Sequence, residues 1–487
     1  MNIQPVKRFL LGTALLVFGL ILPPLGAEDF TFDSLGGEFE DTASACSLEI
    51  HGDLYNGLRT GIGAAAQDDW FSREDRADTA EYTGKAGLDL SFSADSFDLF
   101  LNLNLDPRKL EDSPEALLDE AYFRYYGSGY SLETGLMKVV WGKGDQVHVV
   151  DLLNSNDLTD YLNPDYLERR TAVPMIKLNL PAGVIGSLEA VFIPVLTPDT
   201  IPMSGTWSPR AAADLTALGQ KHVQYLAAQA YASTLAATTS EAAAVMAEAA
   251  ILQQYGDAGA FLPETGSLDY SQAALHYTGS LGGLDFGLTG YWGFIKTPSA
   301  AYTADGSGNI TSFSLSYDRL YALGLEAGGV LAGFNLRGEA AVYLTDDLKG
   351  DDPLVHNGSF NYVAGFDRDL GIHNLNLSFQ CLGERLFQGD AASDPLDVDY
   401  SSNGDIGSHR LIARVSDSFN HEKLLIEVKG ICSIEEADWM LAPKITCKPE
   451  ADLQFSARAG LYGGDEEGNL GQFKDSSFLE LEATLYF

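Results

Sequence analysis

Between Gly142 and Thr171 the sequence gathers side chains suited to sorting ions: Asp151, Asp165 and the adjacent Arg169 and Arg170. Guanidinium groups facing carboxylates across a narrow aqueous gap set a transverse field, which discriminates solutes by charge. The same stretch carries Val149, Val150, Leu152 and Leu153, more aliphatic side chains than a hydrated loop has use for. Folding back into a mouth and packing on its inner wall would bury them. Two roles are open to the arginines: they line a constriction, or they pair with nearby Asp or Glu and fix the loop. Other chemistry is not signalled. The eight histidines, His51, His148 and His276 among them, form no metal-spaced pair, and the four cysteines lack ligand spacing. No Ser/His/Asp arrangement stands out, so neither an enzyme nor a metal or cofactor site is expected. The acidic stretches Asp346 to Asp352, Asp390 to Asp405 and Asp465 to Glu467 match no EF-hand spacing and read as solvated loops.

The elements that must position such a loop are amphipathic strands. In Phe97 to Asp106, Phe97, Leu99, Leu101, Leu103 and Leu105 alternate with Asp98, Asn102, Asn104 and Asp106. Alternate side chains point to opposite faces, so one face is greasy and the other polar. The closing stretch, Lys474 to Phe487, repeats this with Leu479, Leu481, Ala483, Leu485 and Phe487 against Glu480, Glu482, Thr484 and Tyr486. About 18 such segments follow one another, an even number as in single-chain bacterial barrels. Counting back from Phe487, every second connection is short; the others are longer and more acidic, apart from a tight one near Ile434 to Ala437. A soluble sandwich has no reason to keep that alternation in phase. The expected fold is an all-β, transmembrane, antiparallel up-and-down barrel spanning 46–487.

Parity assigns the faces. Arg124, Lys177, Arg337, Arg414, Lys429 and Arg458 fall on the inward parity with Glu120, Glu133, Glu189, Glu339 and Glu427. On a wet lumen wall these charges are cheap, whereas Arg or Lys facing lipid at the midplane costs about 2–4 kcal/mol. Cys46, Cys381, Cys432 and Cys447 fall on the apolar parity and read as small lipid-facing hydrophobes, a disulfide being the alternative. Lys138 has the wrong parity, which predicts a bulge or one-residue slip there.

Lys7 and Arg8 before the apolar run Phe9 to Leu22, closing on Ala27, form a secretory signal peptide over 1–27, and 28–45 read as a periplasmic lead-in. The formal charge of −39 excludes nucleic acid as a partner and favours cations. Residues 196–268 hold an Ala-rich insert read as a helical hairpin, with Ser208-Pro209 starting one helix and Thr238 with Glu241 a capping box. It caps the outside or plugs the lumen. Residues 143–171 are the candidate constriction.

Val140-Trp141-Gly142, Leu162-Asn163-Pro164-Asp165, Arg169-Arg170 and Val173-Pro174-Met175 resemble a proteobacterial family of porin-like outer-membrane barrels built on a domain of unknown function. The resemblance implies a barrel with a channel-like role and supplies neither catalytic residues nor a substrate. The strand that ends on Leu485 and Phe487 also resembles the closing strand that barrel-assembly machinery reads. The expected function is an outer-membrane pore for passive or gated diffusion of small solutes, embedded in outer-membrane lipid and delivered by periplasmic chaperones. The alternatives are a plugged, surface-exposed adhesin or structural barrel, and a transporter of hydrophobic molecules, against which the charged inward face speaks.

Overall fold

The computed structural model describes residues 46–62, 80–107, 114–145, 147–159, 168–183, 185–203, 205–256, 258–392, 397–400, 404 and 406–487. The expected signal peptide, the lead-in and Asp165 lie outside the described residues.

Eighteen strands form one sheet: β1 Ser47–Gly61, β2 Ala80–Ala94, β3 Phe97–Leu105, β4 Leu118–Gly127, β5 Tyr130–Met137, β6 Val173–Ala182, β7 Gly186–Ile193, β8 Gln272–Leu281, β9 Leu284–Phe294, β10 Arg319–Leu331, β11 Phe334–Leu344, β12 Ser359–Asp369, β13 Asn376–Leu386, β14 Gly407–Phe419, β15 Leu424–Ser433, β16 Asp438–Cys447, β17 Leu453–Gly464 and β18 Phe478–Tyr486. Each pairs antiparallel with the next, and β18 returns to β1, so the sheet closes without a free edge. The alternation read from sequence is the cause. On β10, Leu323 and Leu325 are bare on the outside while Leu320, Ala322 and Glu326 are buried inside. Leu275, Leu288 and Leu481 continue the exposed apolar exterior on β8, β9 and β18.

The connections alternate as expected. Turns at 128–129, 282–283 and 332–333 are tight, and Ala332 (φ 52°) with Gly333 (φ 79°) supplies the left-handed backbone that a two-residue hairpin demands. The opposite rim carries the long connections 138–172, 194–271, 295–318, 345–358, 387–406 and 465–477, with the short 434–437 as exception.

Several expectations need correction. No bulge marks Lys138: β5 ends at Met137, and Lys138 turns away to ion-pair with Asp119 at 2.7 Å. The register shift sits instead between Asn102 and Leu103 in the β3–β4 pairing. The closing strand begins only at Phe478, because Gly471–Ser476 form a 3-10 turn. In the insert, α1 (Arg210–Thr238) is preceded by Pro209 at its N-cap, and Ser208 lies outside. Thr238 is still helical, Thr239 adopts φ 55°, and Ser240 caps α2 (Glu241–Gln254) by accepting the Ala243 N–H. The disulfide alternative fails: all four cysteines are free. Cys381 and Cys432 both stand opposite Leu411, which puts them two strands apart, roughly 10 Å, beyond the reach of a bridge.

Candidate functional site

The connection 138–172 does not stay at the rim. Its two ends are tied together by Asn154, whose Oδ1 accepts the Val139 N–H at 2.8 Å while its Nδ2 donates to the carbonyls of Met137 and Thr171, both at 2.9 Å. Arg170 is buried; Nη2 meets Asp151 Oδ2 at 2.5 Å and Nη1 donates to the Asn154 carbonyl at 2.9 Å. Arg170 therefore fixes the loop. The aliphatic residues are spent in the same way: Val149, Val150 and Leu153 are buried, Leu153 in a cluster with Met137, Trp141, Val173 and Tyr291 and the two valines against Ala341 and Val363 of the wall.

From there the loop reaches across the bore. Glu339 on β11 accepts the N–H groups of Lys143 (2.8 Å), Gly144 (2.6 Å) and Val149 (2.8 Å) and faces His148 Nδ1 at 2.8 Å. Gly142, at φ 116°, makes room for this, since a Cβ there would fall 2.4 Å from Glu339 Oε1. On β13, Gln380 exchanges two hydrogen bonds with the backbone of Asp145, at 3.0 and 2.6 Å. Arg414 on β14 then reaches Asp145 Oδ2 at 3.4 Å. β5 and β14 are nine strands apart in a ring of eighteen, so the loop spans the barrel's full width.

A second connection accompanies it. Asp199 accepts the Asn156 N–H at 2.7 Å, and Thr200 exchanges hydrogen bonds with Asn156 and Leu158, both at 2.8 Å. The chain then runs to Trp207, whose ring lies 5.7–6.2 Å from those of Tyr462, Phe473 and Phe478 at β17–β18. The helices beyond it rest chiefly on each other and on the hairpin Ser299–Ala304/Ile310–Ser316, where His222 Nδ1 meets the Ile310 carbonyl oxygen at 2.9 Å.

Among the described residues a chamber lies on either side of the crossing loop. The one toward the long connections, about 720 Å³, is acidic: Asp151, Asp199, Glu384, Asp399, Glu435, Glu436, Asp465 and Glu467 outnumber Arg170, Lys296 and His356. Lys296 is half-buried behind the loop and donates to the Leu152 carbonyl. Burial lowers its ammonium to about 8, with Asp199 and Asp151 holding it up and Arg170 pressing it down. Burial also opposes charge on His356, but its hydrogen bond to Asp399 and the charges of Asp399, Asp318 and Glu384 keep it above the ordinary imidazole value.

The other chamber, about 360 Å³, lies toward the short turns. Arg124 and Lys177 both meet Glu133 there at 3.2 Å, forming a ladder across β4, β5 and β6. Glu189 accepts the Trp141 indole N–H at 2.8 Å, and Glu120 accepts the Lys138 N–H at 2.7 Å. Of the remaining charged candidates, all but Lys429 stand apart from the loop. Arg337 pairs with Asp367, Arg458 meets Glu480 (2.7 Å) and Glu482 (3.1 Å), and Glu427 faces Lys444 in register. Lys429 stands opposite Arg414, with Arg169 in its field. Leu485 faces outward beside Leu54, and Phe487 closes the seam. The sequence does not single out Gln380, Lys296 or Glu326; Asp145 falls within the candidate constriction without a role of its own, and His276 figures only among histidines without metal spacing. For Glu326 the signal was present, since it shares the inward parity of its strand.

No family model matches the sequence, and no protein of curated function matches it. Among solved structures, the chain is similar to OpdO of Pseudomonas aeruginosa, at 11% identity and a TM-score of 0.46, covering 90% of this chain and 96% of that one. The outer membrane protein OpdK of the same organism gives 10% and 0.44, with 90% and 98% covered. The outer membrane channel DcaP of Acinetobacter baumannii gives 8% and 0.40, with 91% and 97% covered.

Proposed function

We propose that this chain is an outer-membrane pore for small solutes in which residues 138–172 form the constriction. The supporting observation is the loop that crosses the full bore and leaves a polar, charged chamber on either side of it. A closed sheet with an apolar exterior suits a bilayer, where backbone groups find no partners but each other. The short turns then face the periplasm, and the acidic chamber opens outward, concentrating cations at the entrance. Kinship with the porin-like family resembled between Val140 and Met175 belongs to this reading, as do the assembly machinery that engages Leu485 and Phe487 and the chaperones that deliver the chain. We assign no catalytic role.

Reconstitution of the full chain in a planar bilayer tests it. Discrete conductance steps with a reversal potential favouring cations in a salt gradient are expected. A folded, heat-modifiable barrel that stays silent overturns the pore and favours the plugged reading, for which the burial of both crossing connections against the wall speaks.

A further inference from the structure

The chamber toward the short turns contains charge that the fold leaves unspent. Glu326 on β10 has a side chain only 1% exposed, and its Oε2 has no hydrogen-bond donor among the described residues. Its Oε1 lies 3.4 Å from His276 Nε2, itself without a hydrogen bond. The carboxylate folds over Gly287, where a Cβ would come within 2.5 Å of Oε1, so the wall is cut away to seat it. Glu339 stands opposite it in register and is saturated by three backbone donors and His148. Of two adjacent carboxylates, one is filled and one is not. An oxygen kept in such a place without a donor is costly unless something else supplies one.

A partner of opposite sign is close. The stem of Lys143 runs 3.9 Å from the Cβ position of Gly328, the next inward position on β10 after Glu326. Lys143 forms no ion pair among the described residues, whereas Arg124 and Lys177 are engaged with Glu133 and Lys138 with Asp119. Both unspent groups line the same cavity of about 360 Å³, which has room for a molecule of amino-acid size with water around it.

We propose that this chamber is a binding site for small zwitterions of the amino-acid type. The ammonium group is held by the Glu326 carboxylate and the solute's carboxylate accepts from Lys143 Nζ, both residues lining the cavity. The assignment rests on the pore reading and deepens it. Liposomes carrying the full chain, swollen in alanine or in its uncharged isomer lactamide, give the test after subtraction of the protein-free rates. Alanine is expected to enter about threefold faster than lactamide, the scale of one solvent-shared ion pair. Glu326→Gln and Lys143→Met are each expected to bring that ratio toward one; the lysine variant alters a loop side chain and does not depend on how well the buried variant folds. Equal rates in the unmodified protein, or a ratio that survives both substitutions, overturn the zwitterion site while leaving the pore. Entry of neither solute overturns the pore itself, and the site with it.

Discussion

Gly52 and Phe487 hold the seam of the barrel between them. Each donates its N–H to the other's carbonyl at 2.9 Å, and the Phe487 ring occupies the space beside Gly52, its Cζ 2.4 Å from where a Cβ would stand. Gly52→Val displaces the ring, and overpacking of this kind costs about 1–3 kcal/mol. The lower end is expected because the ring can swing outward. The temperature at which the folded band is lost on an unheated-sample gel measures it, and adding Phe487→Ala to the valine variant is expected to restore most of the loss.

Glu339 anchors the crossing loop more heavily than any other wall residue described. Glu339→Ala strands the buried N–H of Val149, worth about 1–3 kcal/mol when orphaned, and the half-buried N–H groups of Lys143 and Gly144. Larger and noisier single-channel steps are expected as the loop leaves the wall, together with a lower melting temperature.

Arg170 and Asp151 form a buried pair, so removing one partner differs from removing both. Arg170→Met alone takes the guanidinium from the buried Asp151 carboxylate and is expected to cost about 3 kcal/mol, the low end for a broken buried pair because the Lys296 ammonium still acts on that carboxylate. Arg170→Met with Asp151→Leu is expected to recover much of that, as read in paired denaturation curves.

Lys296 brings a titrating charge to the acidic chamber. Its ammonium titrates near 8, below the ordinary lysine value, so it is charged at pH 7 and largely neutral at pH 9. A depressed lysine favours the folded state as pH rises, and its lost charge raises cation preference over the same interval. Reversal potentials recorded at both pH values are expected to show a larger shift in the unmodified protein than in Lys296→Met.

Periodicity and turn chemistry made the barrel legible, because a strand's two faces and a tight turn's backbone are local properties. The crossing partners are not local. Parity told that Arg414 and Glu339 point inward, but nothing in the sequence pairs a residue of β5's loop with one nine strands away. The sequence leaves Arg170 open between lining a pore and pairing for the same reason: whether a guanidinium faces water or Asp151 depends on how the loop closes, and Asn154 decides that. The helix starts were misplaced by one or two residues because Ser208, Thr238 and Ser240 all carry capping hydroxyls, and backbone geometry chose the last.

The unequal rims also divide where the molecule is free to drift. A residue added at 128–129 has only a two-residue turn to absorb it, and a one-residue slip of β5 there would turn Glu133 toward the apolar exterior and Leu132 toward the bore. The same addition within 194–271 leaves every strand in register, as the helices already carried there illustrate. Lineages of this protein are therefore expected to differ in length almost wholly at the rim of long connections, while the rim of tight turns keeps its length.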